Sequence, residues 1–436
     1  MLNPDCVVAL DRKREAQPGG ELRGSVGAIA GICCPKCGQR ISSTTDFRCA
    51  RCHCVLEVNV DIGHLTRADF DAMRNSRDRS IWRWFEFFPV MHRSSIVSLG
   101  EGDTPLIHAR RLGELLGIPK LYLKNDTVLP TGSLKDRSNS VAISVAKELG
   151  FSTAAVISTG NAAASVAAYA AAAGMKSIVM VPAGTASSKI IQARAHGATV
   201  IVVQGSFDNE VAQLYRAAVE QSGWYDCLSS NPYRIGKKSY AYELVDQLDG
   251  QAPDWVVHPT AGGAGIHFMW QGFRELLSLG WTHRLPKLVA AQSAMAAPIA
   301  AAFEKGFAEI VPVIAAETIA ESIQVGNPAA LGWRALSAVR ESDGMAAAFN
   351  DEEILEAQSL TATLAGIFAE PAAATSLAAA KKLRAAGVIK QQDLVVCNIT
   401  GHGLKQPEAI RIPEDELRPI SPSLATLREQ LRRREI

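Results

Sequence analysis

The chain has 436 residues, 47% of them hydrophobic and 20% charged, which suits two or three domains around a large buried core and excludes whole-chain disorder. A formal net charge of +1 gives no electrostatic case for nucleic acid or an anionic membrane as the main partner, so small charged metabolites are the better expectation. Residues 1–20 lack the apolar core of a secretory signal. No segment offers the roughly 18 uninterrupted apolar residues of a membrane span, the Ala-rich stretch 161–174 coming nearest. A cytoplasmic address is expected.

In chain order, residues 1 to about 30 are polar and Gly-rich and read as a loose leader. Residues 31–60 hold six of the nine cysteines: Cys33, Cys34, Cys37, Cys49, Cys52 and Cys54. Clustered CxxC pairs without an export signal favour a metal over a disulfide framework. Cys34-x2-Cys37, eleven residues, then Cys49-x2-Cys52 has the spacing of a four-thiolate zinc ribbon. Pro35, Lys36 and Gly38 supply a tight knuckle; Cys33, Cys54 and His53 are further candidates, and redox-active or unpaired thiols are the alternative. So short a module lacks a core of its own, and zinc would supply its folding energy. Residues 61–97 connect it to the rest, and Trp82, Trp84, Phe85, Phe87 and Phe88 read as a packing face against the main body.

From residue 98 to about 420 the pattern alternates. β-Branched runs at Ala154–Ser158, Ser177–Val181, Thr199–Val203, Trp255–His258 and Leu394–Ile399 are bounded by Gly or Pro. Helical stretches, Ala-rich in the main, lie between them, at Ser138–Leu149, Ala162–Ala173, Ala186–His196, Phe207–Gln221 and Phe268–Leu277. This predicts an α/β fold of parallel sheets flanked by helices. Residues 421–436 place Leu424, Leu427 and Leu431 at helical spacing, predicting a surface or interface helix.

The informative segment is Pro130-Thr131-Gly132-Ser133-Leu134-Lys135-Asp136-Arg137-Ser138, a turn delivering a helix start that Thr131 or Ser133 can cap. The positive end of a helix dipole lowers the pKa of a lysine in that first turn, and Schiff-base chemistry needs the neutral amine. Separately, Pro259-Thr260-Ala261-Gly262-Gly263-Ala264-Gly265-Ile266 joins a strand to a helix through small residues. Backbone N–H groups can close round a phosphate there, although a plain tight connection reads the same way.

PTGSLKDR resembles the stretch in which the threonine synthase family of pyridoxal phosphate (PLP) enzymes carries its cofactor lysine. Ser98–Leu106 (SLGEGDTPL) looks like that family's opening strand and turn, and Leu121–Asn125 (LYLKN) like the strand before the lysine loop. Ser158–Ala162 (STGNA), Asn231–Ile235 (NPYRI) and Thr400–Lys405 (TGHGLK) also match, in order. The resemblance implies fold type II: two lobes with PLP between them, the smaller from about residues 140–240 and inserted in the larger, and a homodimer. It implies that Lys135 carries PLP, that Gly262, Gly263, Ala264 and Gly265 hold the phosphate, that Asn161 meets the phenolic oxygen and that Thr400 meets the pyridine nitrogen. Ser158, Thr159 and Gly160 would take the substrate carboxylate of an amino acid, and Lys124, Arg137 and Arg234 are the cations to consider for a substrate phosphate. A neutral hydroxyl at the ring nitrogen suits elimination and replacement better than transamination. His402 is either a general base or, more ordinarily, a turn-orienting residue.

The departures gather round the substrate. Leu134 stands for Phe, Asp126 for Glu, Val128–Pro130 for the common LNP and Leu228 for Asn, and the run 235–239 is one residue short; in the phosphate turn, separately, Gly262 stands near the place of the family's Asn. A threonine synthase-like lyase or synthase acting on a β- or γ-substituted, O-phospho amino acid is therefore expected. Alternatives are a cysteate synthase-like replacement on O-phosphoserine, a dehydratase, and a non-catalytic metal-stabilised scaffold.

Overall fold

The computed structural model describes residues 29–185, 187–205, 210–413 and 418–433. Strands β1 (Ile29–Cys33), β2 (Arg40–Ile41) and β3 (Glu57–Val60) form an antiparallel sheet ordered β2-β1-β3, with the cysteine knuckles in its loops. The leader lies, up to residue 28, outside the described residues. The sheet does not stand alone: Ile32, Cys34, Cys49, Leu56 and Val58 belong to the same buried cluster as the main body's Tyr233, Trp270 and Leu336. Short elements with few apolar side chains gain stability in this way, by borrowing a neighbour's interior.

The aromatic run 81–87 folds as a 3-10 helix capped by Ser80, whose hydroxyl accepts from Trp82 N, and every side chain in it is buried. Trp82 Nε1 donates to Ser140 Oγ at 2.8 Å, fixing this segment to the main body. Phe70 lies between Trp84 and Trp281, with ring centroids 5.7 and 4.6 Å away.

The main body then builds two sheets. Strands β4 (Leu106–His108) and β5 (Lys120–Asn125) open the larger one. The chain next forms the smaller sheet from β6 (Thr153–Ile157), β7 (Lys176–Pro182), β8 (Thr199–Val203) and β9 (Tyr225–Asp226), ordered β8-β7-β6-β9 and parallel throughout. It returns to complete the larger with β10 (Trp255–Pro259), β11 (Lys287–Ser293), β12 (Met345–Phe349) and β13 (Leu394–Ile399), in the order β12-β11-β10-β13-β5-β4. Only the edge strand β4 is antiparallel. β10 is buried along its whole length, as expected for a parallel strand covered by helices on both faces.

One expectation is corrected here. Residues 98–105 form a turn, not a strand, and β4 begins only at Leu106. Gly100, Gly102 and Asp103 have φ of 84, 121 and 44°, a conformation incompatible with an extended strand. A Cβ at Gly102 would lie 2.5 Å from Ile81 N, so this turn meets the aromatic segment at contact distance.

The helix expected from Ser138 starts at Lys135, and that expected from Phe268 starts at Ala264; both early turns matter for the site. The two helices expected over residues 186–196 and 207–221 are described as Ser187–Ala195 and Ala212–Ser222. The C-terminal helix spans Leu424–Arg433, with Leu424, Leu427 and Leu431 exposed. Among the described residues no helix is long and apolar enough to cross a membrane.

Phe70→Ala should destabilise the protein by about 3–5 kcal/mol, the usual cost of emptying a buried aromatic site. Chemical unfolding followed by tryptophan fluorescence measures it, and a cost under about 1 kcal/mol would contradict a shared interior.

Candidate active site

Four parallel strands end at one place. β5 leads through a 3-10 turn into the lysine loop, β6 into Ser158, β10 into the glycine turn, and β13 into Thr400. In parallel α/β sheets ligands bind beyond the carboxyl ends of the strands, where side chains and helix N-termini converge. Here the convergence encloses a cavity of about 290 Å³.

Lys135 is the first residue of the helix Lys135–Glu148 and lines this cavity. The turn before it is fixed from two sides. Thr131 donates from both its N–H and its hydroxyl to the Asp136 carboxylate, at 2.8 and 2.6 Å. Leu134 N donates to Thr400 O at 2.9 Å and His402 N to Gly132 O at 2.9 Å, which brings the Thr400 loop alongside the lysine. Burial, and then the Arg234 guanidinium, pull the Lys135 amine down to about 8, with Glu370 opposing.

The glycine turn forms the opposite wall. Gly262, Gly263, Ala264 and Gly265 line the cavity, and the helix Ala264–Ser278 begins among them. Two of these glycines are required by space. A Cβ at Gly265 would fall 1.9 Å from His258 Nε2, and one at Gly263, where φ is 92°, would fall 2.7 Å from Ala335 Cβ. At Gly262 a Cβ would meet nothing within 4 Å. Buried His258 accepts on Nδ1 from the Asn398 amide at 3.0 Å, and burial together with Lys237 and Lys135 holds it down to about 3.

Ser158 and Thr400 line the cavity; Thr159 and Gly160 are half-buried in the loop behind, where Gly160 N donates to Ser158 Oγ at 3.2 Å. Asn161 stands at the start of its helix, and its amide donates to both carboxylate oxygens of Glu370 at 3.0 and 2.9 Å. His402 acts as a turn residue, its Nδ1 accepting from Leu404 N at 3.0 Å.

The three candidate phosphate cations separate. Arg234 lines the cavity, gives Nη1 to Cys227 O at 2.9 Å, and has no partner for Nε among the described residues. Lys124 and Arg137 do not line it, which corrects the expectation for both. They are consumed in a closed, fully buried network. Arg137 grips Asp126 through Nε and Nη2, each at 2.9 Å, and Glu243 through Nη1 and Nη2 at 2.5 and 3.0 Å. Lys124 Nζ reaches Glu243 at 2.6 Å and Thr104 O at 2.7 Å. Two cations facing two carboxylates leave nothing over for a ligand. Although burial works against it, Asp126 and Glu243 hold the Arg137 guanidinium charged.

Glu370 was not foreseen. It lines the cavity, and burial raises its carboxyl despite the Asn161 amide and Lys135. It is the one charged residue in the stretch 366–380, standing directly before the Pro371 that opens a helix. A carboxylate so isolated in apolar sequence was the available signal. A Cβ at Gly401 would lie 2.4 Å from Glu370 Oε1, so the glycine after Thr400 leaves room for it. Lys237 was likewise passed over.

A lysine at a helix start, facing a glycine-lined helix N-terminus across the carboxyl ends of parallel strands, defines the class of two-lobed enzymes that bind a phosphorylated aldehyde cofactor. Residues 97–401 match the family model for pyridoxal-phosphate dependent enzymes, and the chain belongs to that family. The chain is 41% identical to the threonine synthase of Methanocaldococcus jannaschii over 388 residues, covering 88% of this chain and 95% of that protein. It is 39% identical to the threonine synthase of Methanosarcina acetivorans over 401 residues, covering 91% and 98%. Among solved structures, maize serine racemase superposes with a TM-score of 0.61 at 19% identity, over 77% of this chain and 94% of that one. The protein is thus a PLP-dependent enzyme of the lyase and synthase type.

Two outcomes test this geometry. In cofactor-free protein, capture of a small aldehyde by Lys135 should rise steeply from pH 7, with its midpoint at about 8 and a plateau beyond. For a lysine near its ordinary value the climb would continue to about pH 10.4; reductive trapping and peptide mapping read the profile. Glu243→Ala strands two buried cations and should cost about 3–5 kcal/mol of unfolding free energy; an unchanged denaturation midpoint would contradict the closed network.

Proposed function

We propose that the protein is a threonine synthase, converting O-phosphohomoserine and water to threonine and phosphate. The observation that carries this reading is the charge of the cavity. Lys135, Arg234 and Lys237 face a single carboxylate, Glu370, an excess suited to two phosphates: one on the cofactor and one on the substrate. Resemblance to threonine synthases over nearly their whole length supports it.

The residues fit the cofactor. The turn 262–265 has room at Gly262 and backbone packed too closely at Gly263 and Gly265 for any side chain, and it opens a helix whose free N–H groups suit an anion. Bound PLP supplies an electron sink conjugated to the substrate's α-carbon. Lys135 holds it; Thr400, with its neutral hydroxyl, stands beside the lysine loop to meet the ring nitrogen. Ser158, Thr159 and Gly160, before the helix that Asn161 starts, receive the substrate carboxylate. Arg234 takes the substrate phosphate through its spare donors and accompanies it as it leaves. Lys135, once released, moves protons at the substrate carbons, and an amine near 8 exchanges them readily at neutral pH.

Zinc in the cysteine module belongs to the same reading. The thiols of Cys34, Cys37, Cys49 and Cys52 lie within 4.8 Å of one another, with Cys34–Cys52 and Cys37–Cys49 separated by 3.3 and 3.6 Å. Tetrahedral zinc with Zn–S near 2.3 Å needs sulfurs about 3.8 Å apart. A cytoplasmic homodimer completes the proposal, resting on the resemblance alone.

Purified protein should release phosphate from O-phosphohomoserine and yield threonine. Lys135→Ala should lose the visible band of lysine-bound cofactor, and with it at least about 10²-fold in turnover. Release only from O-phosphoserine with sulfite would replace this substrate by the cysteate synthase one, and a colourless, inactive wild type would leave the scaffold. Cys49→Ser should abolish one bound zinc per chain by elemental analysis and lower the thermal midpoint; unchanged values for both would remove the metal.

A further inference from the structure

Lys237 adds to the cavity's positive charge but has no individual role in the chemistry above. It is 6% exposed and lines the cavity, and no described residue accepts a hydrogen bond from its Nζ. Its neighbour Lys238 points the other way, to Phe87 O at 3.3 Å and Glu275 at 2.5 Å. A buried amine with no hydrogen-bond acceptor among the described residues keeps its charge only at a cost unless an anion arrives.

Two glycines fix where that charge sits. A Cβ at Gly236 would lie 1.7 Å from Arg137 O, so the segment is pressed against the first turn of the lysine helix. A Cβ at Gly272 would lie 2.7 Å from Lys238 O, so the same segment is pressed against the helix Ala264–Ser278. Lys237 is therefore wedged between the helix that starts at Lys135 and the helix that starts in the glycine turn. Lys237 and His258 line the same cavity, and the His258 ring lies directly under Gly265. The charge thus belongs to the glycine-turn side of the cavity. That turn presents only backbone donors, and at Gly262 it leaves open space.

We propose that Lys237 is the counter-cation of the cofactor phosphate, closing over the anion held by the turn Gly262–Gly265. The proposal rests on PLP occupying this cavity. A charge-assisted contact of this kind, in an enclosed site, corresponds to roughly 10- to 100-fold in affinity.

The test compares PLP with pyridoxal, which has the same aldehyde and ring but no phosphate, in titrations of cofactor-stripped protein. Lys237→Gln should raise the dissociation constant for PLP roughly 10- to 100-fold and leave that for pyridoxal within about twofold, well below the loss of one such contact. Lys237→Arg should recover most of the loss. Lys237→Met, which removes a buried charge, should keep or raise the unfolding midpoint of the stripped protein while weakening PLP; a lowered midpoint would mean the ammonium has a partner and overturn the proposal. Equal weakening of PLP and pyridoxal would reduce Lys237 to a positioning residue for Lys135 and overturn it. Unchanged PLP affinity with a raised KM for the phosphorylated substrate would hand the cation to the substrate and overturn it. A wild type that takes up neither compound would instead defeat the PLP reading, and this one with it.

Discussion

The grip of Arg137 on Asp126 and Glu243 is the constraint on which the site depends. Arg137 lies two residues beyond Lys135 on the same helical turn, Asp126 follows β5, and Glu243 lies on the helix that follows Lys237. One guanidinium thus ties the lysine helix to the large sheet and to the segment carrying Arg234 and Lys237. Its planar fork suits this work as an ammonium would not, because four of its bonds run to two carboxylates at fixed angles. The Tyr240 ring beneath the guanidinium, 4.3 Å from its carbon, closes the remaining face. The Lys135 amine is placed by charges that do not themselves line the cavity.

Around that anchor, the cavity is built on opposed fields. Lys135 is made less basic by enclosure and by Arg234, Glu370 is made less acidic by enclosure, and neither effect needs a catalytic partner in direct contact. The Asn161 amide is the hinge between them. With both its carboxylate bonds made to Glu370, it couples the Ser158 loop on the smaller sheet to the helix at Pro371 on the larger side. Any reorientation of that amide must release the carboxylate.

Much of this was legible in the sequence, and the remainder was hidden for definable reasons. β8 and β13 match their expected bounds because short β-branched runs between glycines have few other conformations open to them. β11 and β12 were not foreseen: KLVAAQS and MAAAF are Ala-rich, and composition gives them no claim to be strands. Lys135 could be read from its turn and its surroundings. Lys124 and Arg137 were misassigned because sequence shows that a cation is near a motif but not whether it is already neutralised; their partner Glu243 is more than a hundred residues away. Glu370 was missed for the converse reason, since its partners Asn161 and Ser322 lie far from it in the sequence.

The common interior of the cysteine module and the catalytic body bears on how such a protein can be taken apart. The stretch recognisable as the PLP family begins at residue 97, yet Phe70, Trp84, Phe85 and Phe87, which lie before it, pack in one cluster with Tyr242, Phe273 and Trp281, which lie after it. A cut at the family boundary would flay open an oily seam instead of separating two modules. The unit that packs together is longer than the recognisable one, and a cut that respects only the latter would leave a chain with an unclosed interior.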